Sequence, residues 1–187
     1  MLELNTILYE ISHLIAASKT PMKIAITGGV HVGKTTAMRA LYAHLHALGI
    51  KCSGIAENAV FTGEVRIGYD FEVLGGDSED VALVHRWPVA RRAEGAAHYT
   101  FDADAWALAA QWMKSFEGQD VMLVDELGRL EARGEGLMVS LAETLRRHPR
   151  HIILAVRGDV LDEIERRIGR FDKIFRIGAS GVDVRNA

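Results

Sequence analysis

The sequence predicts an α/β domain: a mainly parallel sheet with helices on both faces, in three layers. Three observations lead there. Met22–Thr27, Val121–Val124 and His151–Val156 are short, nearly unbroken apolar runs, the pattern of strands buried on both faces. Between them lie longer stretches with apolar residues at three- and four-residue steps, as helical crossovers between parallel strands require. The chain has 187 residues, 49% apolar and 25% charged, which suits one well-buried domain and is short for two.

Taken in order, Leu2–Ala17 places Leu4, Leu8, Ile11 and Ile15 on one helical face and predicts an amphipathic helix. We expect it to pack on the sheet as an accessory element, residues 1–20, ahead of a domain over 21–187. It is also the segment through which a protein partner or a second copy could attach. The apolar run Met22–Thr27 leads through a glycine-rich stretch to a helix carrying Ala37, Leu41, Leu45 and Leu48, with Gly49 as its stop. Lys51–Ala59 and Val65–Leu74 read as strands, the second because Ile67, Tyr69, Phe71 and Val73 alternate with polar residues or glycine. Gly75–Ser78 reads as a turn and Val81–His85 as a returning strand, giving an inserted β-hairpin at about residues 60–86. RWPVARR, Arg86–Arg92, is expected to be a loop. Asp102 is placed to cap a helix through Phe116 that turns Ala105, Trp106, Ala109, Trp112, Met113 and Phe116 inward. After the strand Val121–Val124 a helix through Arg147 presents Met138, Leu141, Ala142 and Leu145. The third buried strand, a short helix Asp159–Ile168 closed by Gly169, and a last strand Lys173–Ile177 complete the pattern.

Composition excludes several function classes. A formal charge of −3 and a pI near 6.2 supply no basic field for nucleic acid, and the run Arg146, Arg147, His148, Arg150 reads as a solvated helix end. No apolar run reaches 18 residues and no signal-peptide pattern opens the chain, so neither a membrane role nor export is expected. A single cysteine, Cys52, fits a reducing cytoplasm. Of eight histidines, His44 and His46 stand two apart on a helix and face different ways, which argues against a zinc site.

GGVHVGKTT carries the G-x-x-x-x-G-K-[ST] spacing of a phosphate-binding loop between a strand and a helix. Glycines let successive backbone N–H groups converge on phosphate oxygens, and the helix directs its positive end at the same point. Gly28, Gly29, Val30, His31, Val32, Gly33, Lys34, Thr35 and Thr36 are therefore candidate nucleotide-binding residues, with His31 facing solvent at a variable position. Lys34 would bring an ammonium to the β- and γ-phosphates, and the Thr35 hydroxyl a ligand for Mg²⁺.

VMLVDELGRLE supplies the second half. A buried strand ends in Asp125, positioned to hold Mg²⁺, and Glu126 follows, where it can orient the attacking water. Asp125 and Gly128 also match the D-x-x-G of GTPases, but no N-K-x-D follows. Charge developing on the transferred phosphoryl group calls for further cations. Arg157, directly after the third buried strand, is the first candidate, with Arg129 and Arg66 next and the Arg86–Arg92 loop as a conceivable lid.

With these elements in place, the chain resembles the thermophile-type nucleoside-triphosphatase family, also called the cancer-related nucleoside-triphosphatase family, within the P-loop NTPase superfamily. GGVHVGKTT, FTGEVR (61–66), RIGYDFEVLGG (66–76) and VDELGRLE (124–131) carry the resemblance. It implies a RecA-like P-loop fold with an inserted hairpin and slow, Mg²⁺-dependent hydrolysis of ATP, GTP and other nucleoside triphosphates. It carries over Gly33, Lys34 and Thr35 as phosphate and metal contacts, and Asp125 and Glu126 as metal and water partners. Two departures stand out: FRIGASGVDV, 175–184, lacks the family's Asn-Arg pair in the region associated with the base, and the helix Leu2–Ala17 precedes the usual family start. The alternatives are a nucleotide or nucleoside kinase, in which water is excluded in favour of an acceptor hydroxyl, and a nucleotide-dependent switch or adaptor.

Overall fold

The computed structural model describes residues 2–75, 86–93, 98–115, 118–147, 151–178 and 181–186. Nine strands form one sheet: β1 (Met22–Gly28), β2 (Cys52–Thr62), β3 (Val65–Leu74), β4 (Arg86–Arg91), β5 (Thr100–Phe101), β6 (Val121–Leu127), β7 (His151–Arg157), β8 (Lys173–Gly178) and β9 (Gly181–Asn186), in the order β5-β4-β3-β2-β6-β7-β1-β8-β9. The five central strands, β2, β6, β7, β1 and β8, run parallel, and the flanks are antiparallel. The helices are α1 (Leu2–Ala17), α2 (Lys34–Ala47), α3 (Ala103–Ser115), α4 (Arg129–Arg133), α5 (Leu137–Arg147) and α6 (Leu161–Ile168).

Two hydrophobic clusters show why the central strands lack polar residues. Alternate side chains leave opposite faces of a strand. Ile24, Ile26, Leu123, Ile153, Ala155 and Phe175 meet α1 and α2 on one face. Ala25, Met122, Val124, Ile152, Leu154 and Val156 meet α3, α5 and α6 on the other. Both faces are dry, so both sets must be apolar.

Helix α1 has the bounds that its periodicity predicts, and it packs as an accessory layer against α2 and β9. Its buried stripe is Ile7, Ile11 and Ile15, with Leu4 and Leu8 at the margin. Each buried isoleucine contributes about 1.5–3 kcal/mol. That stripe is covered by the chain's own core, and the outer face presents Tyr9, stacked on His13.

Several expectations change. RWPVARR is a strand, β4, because β3 would otherwise expose an unpaired edge. The ladder skips Val89, and Pro88 sits beside that bulge, where a missing N–H is tolerated. Two of its arginines are engaged rather than poised as a lid: Arg91 pairs with Asp70, and Arg92 bonds the Arg66 carbonyl and lies over Tyr99. The β-rich insert is correspondingly wider than 60–86, since β2 joins the parallel sheet at its start and the antiparallel flank continues to β5. The turn at 76–78 and the strand Val81–His85 lie outside the described residues, as does Phe116.

On α3, Ala105, Ala109 and Met113 are buried and Trp106 and Trp112 partly so, with Asp102 Oδ1 accepting from the Asp104 N–H at 2.9 Å. The helix bearing Met138, Leu141, Ala142 and Leu145 is α5 and runs to Arg147 as expected, and a separate short helix, α4, precedes it and ends at Gly134, whose φ is 86°. A ninth strand after Gly178, not expected, closes the β8 edge.

Candidate functional site

Strand β1 ends at Gly28 and α2 begins at Lys34, so the glycine-rich stretch is the connecting loop. Gly28 cannot carry a side chain: φ is +155°, and a Cβ would stand 2.3 Å from the carbonyl oxygen of Ile177 on β8 and 2.9 Å from Val32 Cγ2. Gly33, with φ of 94°, is the N-cap of α2 and offers no side chain to the N–H groups of the first turn. Those donors stay available to an anion at the positive end of a 14-residue helix. Val30, His31 and Thr36 are exposed, and His31 holds a left-handed φ of 62°.

Lys34 is 3% exposed; its Nζ donates to the Gly29 carbonyl at 2.8 Å and lies 3.6 Å from Glu126 Oε1. The strand β6 carries Asp125 and Glu126 within it, extending past Val124 to Leu127, and the peptide between the two acids is cis. Asp125 is fully buried, and neither carboxylate oxygen has a hydrogen bond of good geometry, although the Thr35 hydroxyl and the Glu57 backbone act on it. Burial pushes its carboxyl up to about 7, against the pull of the Thr35 hydroxyl, while the charge of Glu126 adds to the rise. The fold thus brings Lys34, Thr35, Asp125 and Glu126 together at the carboxyl ends of the parallel strands, where ligands gather in such sheets.

Two further acids belong to this neighbourhood and have no signature in sequence. Glu57 follows Ile55, which pairs with Val124, so β2 sets it beside β6. Burial holds its carboxyl well above the usual range, the charges of Glu126, Asp125 and Glu131 raise it further, and Arg66 opposes them. Glu131, 5% exposed, accepts from the Gly128 N–H at 2.9 Å and the Leu137 N–H at 3.2 Å, tying the end of β6 to both α4 and α5. Glu57 stands in a plain strand and Glu131 in a helical stretch, so only the pairing of β2 with β6 and the break at Gly134 reveal them.

The arginines differ in their commitments. Arg157 is in register with Gly28 across the β7–β1 pair, beside the loop as expected. Its Nε and Nη2 donate to Asp159 at 3.1 and 2.9 Å. Arg129, 70% exposed, donates to the same carboxylate at 3.2 Å. Arg66 reaches the phosphate loop itself, its guanidinium 3.3 Å from His31 Nδ1.

A family model described as NTPase matches residues 23–180, beginning just after α1. A nucleoside-triphosphatase THEP1 of Metallosphaera sedula is 30% identical over 115 residues, which are 62% of this chain and 60% of that protein, so the chain spans less than two thirds of the curated relative's length. Two solved structures share the fold. A human cancer-related nucleoside triphosphatase has a TM-score of 0.63 at 23% identity over 84% of this chain and 89% of that one. THEP1 from Aquifex aeolicus has a TM-score of 0.56 at 17% identity over 85% and 91%. Since the matched span takes in the glycine loop, the acid-bearing β6 and the parallel strand β8 alike, this chain belongs to the NTPase family.

Proposed function

We propose that this chain hydrolyses nucleoside triphosphates, ATP and GTP among them, to the diphosphate and phosphate, slowly, with Mg²⁺ and with little regard to the base. The observation that carries this is the pairing of two unlike acids in front of Lys34: Asp125 buried with neither oxygen in a well-formed hydrogen bond, and Glu126 25% exposed at 3.6 Å from the ammonium. A buried carboxylate so weakly partnered is stable beside a cation, and the Thr35 hydroxyl adds a second hard oxygen, which suits Mg²⁺. Among the described residues no three His, Cys, Asp or Glu side chains converge on a metal, so an ion here would take its other oxygens from phosphate and water. When bound, Mg²⁺ supplies charge neutralisation on the phosphate oxygens.

The chain's own groups do the rest. N–H groups of the loop and of the first turn of α2 hold the phosphates, and Lys34 turns its ammonium from Gly29 and Glu126 to the γ-phosphate. Glu126 then accepts the proton of a water aligned behind the γ-phosphorus. The new P–O bond forms as the bond to the β–γ bridging oxygen breaks, and the diphosphate leaves with that electron pair. The single Cys52 favours a reducing, cytoplasmic setting.

A kinase would need a movable lid, and the arginine run that suggested one is strand β4, with Arg91 and Arg92 engaged. The test is phosphate release from ATP, GTP, CTP and UTP by the parent and by Glu126→Gln. We expect comparable rates on the four nucleotides and a kcat lower by about 100-fold or more in the variant, the usual contribution of a positioned proton acceptor. Equal turnover by parent and variant would overturn the role of Glu126.

A further inference from the structure

We propose that Arg66 is the arginine that contacts the γ-phosphate, delivered to the phosphate loop by the β2–β3 hairpin; the inference rests on the triphosphate hydrolysis proposed above. An arginine with this duty must stand on the acid side of the loop, reach it, and keep its charge free. Arg157 and Arg129 fail the last requirement, because both guanidiniums are held by Asp159. Among the described residues no carboxylate forms an ion pair with Arg66.

What holds Arg66 instead is aromatic and neutral. Its guanidinium lies 5.6 Å from the Phe61 ring centroid and 5.3 Å from that of Tyr69, and Nη1 donates to the Tyr69 hydroxyl at 3.0 Å. Ring faces and a phenol fix the orientation of a guanidinium without cancelling its charge. The other terminal nitrogen, Nη2, lies 3.3 and 3.4 Å from the two ring nitrogens of His31, in the middle of the phosphate loop. His31 is exposed with a left-handed φ of 62°, and its ring is the loop group that Arg66 meets in this structure.

The topology puts Arg66 on the correct side. Strand β2 is the neighbour of β6, so the hairpin rises from the edge that carries Asp125 and Glu126. The register shifts between Val60 and Phe61, where a bulge re-aims the hairpin tip, and Arg66 pairs with Phe61 beyond it. Glu57 lies within electrostatic reach of both groups, the charges of Glu126 and Asp125 raising its carboxyl and that of Arg66 opposing them. A γ-phosphate in front of Lys34 therefore has the acids on one side and Arg66 above. In hydrolysis Nη2 exchanges the His31 ring for a γ-phosphate oxygen, meeting charge as it grows on the transferred group with a donor already oriented.

The experiment compares parent protein, Arg66→Ala and Arg66→Lys. Steady-state phosphate release is measured from ATP with Mg²⁺, and calorimetric titrations are made with ADP and with a non-hydrolysable ATP analogue. Melting curves confirm that each variant is folded, and the lysine variant, which retains the long stem, serves if the alanine variant does not fold. We expect kcat to fall about 100-fold or more in both variants, the triphosphate analogue to bind about tenfold more weakly, and ADP to bind within twofold of the parent. Added guanidinium at millimolar concentration should restore part of the lost rate to Arg66→Ala. A kcat within threefold of the parent, or ADP binding that weakens in step with the triphosphate, would overturn the assignment while leaving the hydrolase reading intact. A parent protein that releases no phosphate from any triphosphate would overturn the hydrolase reading and this assignment together.

Discussion

Replacing Glu131 by alanine tests whether the acid that ties β6 to α4 and α5 is structural. The carboxylate accepts two backbone N–H groups, from Gly128 at 2.9 Å and from Leu137 at 3.2 Å, and Leu137 is only 2% exposed. Alanine leaves the Leu137 N–H buried with no acceptor, a cost of about 2–3 kcal/mol, and the less buried Gly128 N–H adds about 1 kcal/mol. Against this stands the relief of a desolvated charge. Burial raises the Glu131 carboxyl above its ordinary value despite those N–H donors, so the charged form is penalised in the folded state. That relief offsets part of the cost, leaving a net loss of roughly 2–3 kcal/mol. With a urea m-value near 3 kcal/mol/M for a chain of this size, the midpoint should fall by about 0.7–1 M at pH 7. The sign of the pH effect follows from the raised value: the contribution of Glu131 is full below its unfolded pKa and is lost as pH rises through the higher folded pKa. The gap between parent and variant should therefore widen from pH 7 towards pH 5. Urea unfolding followed by circular dichroism at both pH values measures it. A midpoint within 0.2 M of the parent at each pH, on the same scale of m, would refute the claim that Glu131 clamps these segments.

Two further outcomes follow from single positions. Gly28→Ala should lower the melting temperature by roughly 4–8 °C, equivalent to about 2 kcal/mol, and abolish ADP binding. The added methyl meets the Ile177 carbonyl at 2.3 Å, and β8 and β1 are paired there, so neither can withdraw; an unchanged melt and affinity would contradict the packing described. Cys52, 6% exposed, has its thiol pushed up to about 11 by burial. At pH 8 its thiolate fraction is then about 0.001, against roughly 0.2 for a free thiol. Alkylation of the native protein should run at least 100-fold slower than after unfolding and rise about tenfold per pH unit to pH 10; labelling as fast as a free thiol would show that the β2 end is open.

The loop from Gly28 to Thr35, the strand ending in Asp125 and Glu126, and the alternation of buried strands with helices were all legible in the chain itself. Each is a local matter: phosphate cradling needs glycines and a helix start within eight residues, and a strand buried on both faces declares itself by having no polar alternation. What local pattern could not decide was which elements become neighbours. Proline and three arginines in the stretch that is β4 look like surface and predict a loop, yet an unpaired β3 edge recruits it. Glu57 has no signature beyond being a glutamate in a strand, and only the pairing of β2 with β6 sets it against Asp125 and Glu126. The arginines show the same division. Sequence puts Arg157 first, for its place directly after the third buried strand, with Arg129 and Arg66 next, since any arginine can reach several ångströms from its backbone. Tertiary structure separated them: Asp159 takes the first two, while two aromatic rings and His31 hold the third over the loop. Spacing along the chain determines what a segment can bind; contacts between segments distant in sequence, such as Arg66 with His31 and Arg129 with Asp159, determine which charges reach it.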